Sequence, residues 1–188
     1  PWGRGRPGWH IECSAMIKKH LGTSIDSHGG GSDLTCPHHE NEAAQSRCAN
    51  AQPKSVHYWL HNGMLTMGQE KMSKSVGNIV TINALLKQYP GEVLRYALVS
   101  GQYRSQLAWS EDLLDQAESS LERFYQALRD AGVDQATSAD FRDAPLEKFP
   151  TGVVNALADD LNTPEALAAM HQLVSELHRT DDPTRRAE

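Results

Sequence analysis

Leu114, Ala117, Leu121, Phe124, Tyr125 and Leu128 recur at the i, i+3, i+4 spacing of one helix face within an otherwise charged stretch. A helix of this kind is stable in water only when its apolar stripe is covered, so the chain from about residue 110 must pack helix against helix. Ser110 has the chemistry of an N-cap, Glu111 and Asp112 suit the first turn, and Gly132 suits the stop. Residues 133–146 are polar and rich in helix breakers, which predicts a loop. A second helix is expected over roughly 147–161. A third starts at Thr163-Pro164, with Leu167, Met170, Val174 and Leu177 along one side. Helices joined in this way pack antiparallel.

The first hundred residues follow a different rule, alternating short β-like runs with helical ones, as an α/β fold requires. A helix is predicted over 9–21, then a strand from Thr23 to His28 running into Gly29-Gly30-Gly31. Pro37 suits the first turn of a helix reaching about Asn50. Val56 to His61 alternates as a strand, Asn62-Gly63 signals a hairpin, and Met64 to Met67 is expected to pair back on it. Thr81 caps a predicted helix over Ile82–Gln88, and Pro90-Gly91 separates it from another ending near Ser100.

Composition excludes several classes. No run approaches the roughly 18 apolar residues of a membrane span, and mean hydropathy is −0.55. The N-terminus, Pro1-Trp2-Gly3-Arg4-Gly5-Arg6-Pro7-Gly8, has neither an initiator Met nor an apolar signal core, as expected for the interior of a longer chain. Cys13, Cys36 and Cys48 are too few and too irregular for a disulfide framework, so reduced thiols and a cytoplasmic setting are expected. Charge is uneven: residues 1–110 carry 11 Lys/Arg against 7 Asp/Glu, residues 111–188 carry 7 against 17. The acidic helical part is therefore a poor general binder of phosphate, while the first part can face anions.

The residues able to do chemistry lie in four segments: Gly8-Trp9-His10-Ile11-Glu12-Cys13, His28-Gly29-Gly30-Gly31-Ser32-Asp33, Pro37-His38-His39-Glu40-Asn41-Glu42 and Lys71-Met72-Ser73-Lys74-Ser75. His38 and Glu42 are four apart on a predicted helix and share a face, and Cys13 can bring a thiolate from another element. Cys, His and Glu are zinc ligands, and three of them with an open position form a catalytic zinc pattern. Spacing alone also allows a buried Cys beside two surface residues. A helical His-Glu-x-x-His protease site is excluded, because Ala43 stands where the second His belongs. The glycine run permits close backbone approach to a ligand, or simply a tight turn. Lys71 and Lys74 can offer point charges to phosphates, or form a solvated basic turn.

Together these segments resemble the cysteinyl-tRNA synthetases, a class I aminoacyl-tRNA synthetase family, nearly continuously from Pro1 to about Ser110 and again at Asn162-Thr163-Pro164-Glu165-Ala166. The resemblance implies an α/β fold. It places the second half of a Rossmann-like catalytic domain over 1–105, and over 106–188 a helical bundle leading to an anticodon-binding region. It implies ATP-dependent activation of L-cysteine, with Mg2+, to cysteinyl-adenylate and transfer to tRNA(Cys). It further implies zinc on Cys13, His38 and Glu42, with a fourth ligand, a Cys expected to precede Pro1. A zinc-bound thiolate separates cysteine from serine, whose harder hydroxyl binds less well. By the same resemblance Trp9 lines the cysteine pocket, or packs in the core. His28, Gly29, Gly31 and Asp33 hold the adenylate, and Lys74 with Lys71 meets the charge developing on ATP.

The sequence departs from the family at Cys36, where an apolar aromatic residue is usual. Packing as a small hydrophobe is expected there, with a stray thiolate near the metal as the alternative. Cys48 is expected to be structural, and His57, His61, His171 and His178 to be ordinary polar positions. No His-x-Gly-His segment occurs, so half of a class I nucleotide site lies outside this sequence and the chain alone is expected to be inactive. Two other readings stand beside the resemblance: the cysteine ligase of mycothiol biosynthesis, and a non-catalytic zinc or interaction module.

Overall fold

The computed structural model describes residues 3–51, 53–68, 70–71, 77, 80–133 and 144–180. They form two compact units, Pro1–Met64 and Leu65–Glu188. In the first, helix α1 (Trp9–His20) leads to strand β1 (Ile25–Gly31). A short turn, Ser32–Leu34, and an irregular one, Thr35–His39, lead to α2 (Glu40–Asn50) and β2 (Val56–Asn62). β1 and β2 pair in parallel from Ile25↔Val56 to Gly31↔Asn62, with α2 in the crossover, which is a β–α–β arrangement. α1 lies against α2 where small side chains allow it: the Ser14 hydroxyl reaches the Glu42 carbonyl at 3.4 Å and Gln45 Oε1 at 3.2 Å.

Cys36 is extended (φ −138°, ψ 131°), the conformation that a following proline imposes, and the backbone turns helical after it, so Pro37 stands in the first turn leading into α2 as expected. The structure corrects two local expectations here. The Asn62-Gly63 hairpin does not form. β2 instead matches the seven-residue β1 along its whole length, while β3 (Leu65–Met67) pairs antiparallel with β4 (Glu70–Lys71) and parallel with β5 (Leu107–Ala108). Cys36 is exposed rather than packed, as is Cys48, and all three cysteines are free thiols.

The second unit holds β3, β4, α3 (Ile82–Leu85), α4 (Gly91–Val99), β5, α5 (Glu111–Asp130), a turn at Leu146–Lys148, α6 (Thr151–Ala158) and α7 (Thr163–Arg179). The caps follow the sequence: Thr81, Ser110 and Asn162 accept hydrogen bonds from the amides of Ala84, Leu113 and Glu165. Val93, Leu94, Ala97, Trp109, Leu114 and Ala117 make one core between α4 and α5. That core joins residues on both sides of position 105 within the unit that begins at Leu65. The helix expected over 147–161 is shorter. Pro150 starts it late, and Asp160 and Leu161 leave it with φ of 50° and 54°. Arg104 holds the Asp160 carboxylate through two nitrogens, at 2.6 and 3.0 Å, and the Tyr103 hydroxyl donates to it at 2.8 Å. This fastens the α6–α7 corner to the loop after α4. Most of the loop predicted over 133–146 lies outside the described residues. No helix among the described residues is long and apolar enough to cross a membrane.

Candidate functional site

α1, β1 and the start of α2 bring their polar side chains to one place within the first unit. Cys13 Sγ on α1 lies 3.7 Å from His38 Nε2. His38 Nε2 in turn touches Glu42 Oε1, one helical turn on. One donor atom each from Cys13, His38 and Glu42 falls within 4.8 Å of the others. A tetrahedral zinc with usual bond lengths separates a sulfur and a nitrogen ligand by about 3.6 Å, which the Cys13–His38 pair matches, while the closer His38–Glu42 contact has to open for both to ligate one ion. The buried acid is the informative member. Glu42 is 2% exposed, and its oxygens face the His38 and His28 ring nitrogens and the Cys13 thiol, groups that a shared cation can hold together with it. Burial, with Glu42 close by, pushes the Cys13 thiol up. A thiolate beside a buried carboxylate needs a positive charge between them.

The surrounding rings hold these ligands in place. The Nδ1 atoms of His10 and His38 share a hydrogen bond at 2.7 Å, which leaves His38 Nε2 facing Cys13 and Glu42. Trp9 lies on His38 with ring centroids 4.0 Å apart while 59% exposed. It is therefore a wall of the site rather than core. His28, on β1, places Nε2 3.5 Å from Glu42 Oε2 and stacks on Trp59 at 4.8 Å. His39 hydrogen-bonds through Nδ1 to His61 Nε2 at 2.7 Å, and burial with His28 nearby pushes its pKa down, toward the neutral imidazole.

Sequence reasoning assigned no role to His10, His39, His61 or Trp59. His10 was legible, being three residues before Cys13 on one helix face. His61 was not: it faces Gly30 only through the β1–β2 register.

The glycine run also leaves room for neighbouring side chains. Gly29, Gly30 and Gly31 end β1 without positive φ. A Cβ on Gly30 would meet His39 Cε1 at 2.8 Å, and one on Gly31 would meet Asp33 Oδ1 at 2.5 Å. Protein side chains, not only a ligand, use the space they leave. Asp33 sits exposed in the turn after β1. Lys71 lies in β4 opposite Thr66 in the second unit, and Lys74 falls outside the described residues. Cys36 is not part of either group of candidate ligands.

Residues 1–119 match the family model for the class I (C) tRNA synthetase catalytic domain, and residues 152–188 match the DALR domain. The cysteine–tRNA ligase of Hyphomonas neptunium is 59% identical over 182 residues, 97% of this chain and 37% of that protein. That of Maricaulis maris is 54% identical over 179 residues, 95% of this chain and 37% of that protein. The chain thus spans a little over a third of these relatives. A ternary LeuRS–tRNA–LeuAMS complex from Agrobacterium radiobacter K84 shares the fold, with TM-score 0.66 and 16% identity over 87% of this chain and 24% of that one. With a catalytic-domain match covering most of its length and close relatives along nearly all of it, the chain belongs to the class I tRNA synthetases of the cysteinyl family.

Proposed function

We propose that this chain carries the amino-acid site of a cysteine–tRNA ligase, which activates L-cysteine with ATP and Mg2+ to cysteinyl-adenylate and passes it to tRNA(Cys). The observation that carries the reading is the convergence of the buried Glu42 carboxylate, Cys13 Sγ and His38 Nε2 within 4.8 Å of one another. This donor set fits zinc, held by Cys13, His38 and Glu42. Zinc bound there supplies a soft Lewis acid that prefers a substrate thiolate to a hydroxyl.

The chain's own groups do the rest. His10 holds the His38 ring so that its Nε2 stays aimed at the ligand position. Trp9, exposed and lying on His38, forms a wall against which the substrate side chain rests. His28 and the Gly29–Gly31 end of β1 face the adenylate, and Asp33 accepts from the ribose hydroxyls. Lys71 and Lys74 stabilise the negative charge that grows on the phosphates as pyrophosphate leaves, and the substrate carboxylate is itself the nucleophile. The functional division, catalytic to about residue 105 and helical from 106 toward the anticodon-binding region, falls inside the second compact unit. The ligase name of the relatives favours tRNA over an amino sugar as acceptor.

Equilibrium metal analysis tests the reading. With the fourth ligand outside this sequence, the chain is expected to bind zinc weakly, and Cys13→Ser to weaken it at least about tenfold further. Zinc affinity unchanged in Cys13→Ser refutes the assignment. The chain alone is expected to show no cysteine-dependent exchange of pyrophosphate into ATP, since misplacing reacting groups by about 1 Å costs on the order of 10²-fold.

A further inference from the structure

We propose that Glu42 serves two divalent-cation positions: the one on Cys13 and His38, and a second formed with His28 and His39. The inference rests on the first position being a metal site and adds a neighbour to it. One ring nitrogen of each histidine and a Glu42 oxygen lie within 4.8 Å of one another. His28 Nε2 stands 3.5 Å from Glu42 Oε2, close to the roughly 3.4 Å that a tetrahedral zinc imposes between nitrogen and oxygen ligands. A cation on the Cys13 side engages the Glu42 oxygen that faces His38. The other oxygen, equally buried, still faces His28.

The second set is also held in advance. Trp59 stacks on His28 with the planes 22° apart, and His61 fixes the His39 ring through a 2.7 Å hydrogen bond. This is the kind of outer support that orients metal-binding imidazoles. Gly30 leaves room for that ring, since a Cβ there would stand 3.2 Å from His39 Nε2. Two metals sharing a site of this sort lie about 3.5–4 Å apart. Affinity follows charge. The first set brings a thiolate and a carboxylate, the second only the shared carboxylate and neutral rings. The second cation therefore binds at least tenfold more weakly, and its nitrogen and oxygen donors suit zinc, cobalt or nickel.

Cobalt(II) titration of the full chain, followed by absorption, separates the two positions. The first equivalent is expected to bring a thiolate-to-cobalt charge-transfer band. A second, at least tenfold weaker, adds visible d–d intensity without that band. In a His28→Gln/His39→Gln variant the second equivalent disappears and the band remains. In Cys13→Ser the band disappears and the histidine-dependent equivalent remains. His61→Phe, which removes no ligand, is expected to weaken the second equivalent by about 10–100-fold, and it serves if the double variant misfolds. Saturation of the wild type at one equivalent overturns the proposal, as does a second equivalent that survives in the double variant. A wild type with no charge-transfer band but a cobalt equivalent dependent on His28 and His39 would overturn the Cys13 assignment and with it the two-position proposal, leaving a single histidine site.

Discussion

Replacing Leu114 by Ala tests how the second unit is held together. Leu114 is 2% exposed and packs with Val93, Leu94, Ala97, Trp109 and Ala117. Removing three carbons costs about 2.4 kcal/mol in transfer free energy at roughly 0.8 kcal/mol each. The cavity left among neighbours on two helices raises the loss to about 3–4 kcal/mol. For a unit running from Leu65 to Glu188, an unfolding entropy near 2.1 cal/mol/K per residue turns this into a fall in Tm of roughly 10–15 °C.

Leu128 is the matched control. It lies fourteen residues along the same helix, about 40° around its axis from Leu114 and about 21 Å further on, yet it is 40% exposed. Leu128→Ala is expected to cost under about 1 kcal/mol, or a few degrees. Thermal unfolding of the three proteins side by side, by far-UV circular dichroism, reads both numbers. Equal losses at the two positions would refute the reasoning, because they would mean that the far end of α5 is as well covered as its start.

Gly30→Ala places a Cβ 2.8 Å from His39 Cε1; it is expected to lower stability by about 1–3 kcal/mol and to weaken the histidine-dependent cobalt equivalent, read in the same titration. The hydrogen bonds from Arg104 and then Tyr103 hold Asp160 below its usual 3.8, so the stability they contribute is present above that value and lost as pH falls through the lowered one. Urea melts across pH 2–6 are expected to show the gap between wild type and Asp160→Asn closing below about pH 4. His171 is pushed down by burial and then by Arg123, so the unfolded chain takes up a proton first and stability falls as pH drops below 6.5; His171→Gln is expected to flatten that step. In the full-length enzyme, Lys74→Ala is expected to slow adenylation more than it weakens cysteine binding, because the charge it meets develops in the transition state; equal effects in single-turnover kinetics would remove that role.

Much of this protein is determined by sequence because the relevant physics is local. Ser110, Thr81 and Asn162-Thr163-Pro164 announce helix starts through the chemistry of a single turn, and the Leu114–Leu128 stripe announces a helix through its period. His38 and Glu42 pair through a four-residue spacing with Cys13 as a candidate thiolate from another element, and the family resemblance assigns the three to zinc. Tertiary structure decided what depends on distant partners. The Asn62-Gly63 dipeptide is a sound hairpin signal, yet β2 pairs with β1 and β3 with β4 and β5, partners that the dipeptide does not record. The stripe on α5 looks uniform in one dimension, but the buried core of α4 takes in Leu114 and Ala117 while Leu128 stays 40% exposed, without any change in pattern. His61 enters the site through strand register, and Gly30 serves a histidine nine residues away. Such contacts are set by how separate elements come together, and neither period nor spacing along one segment records that.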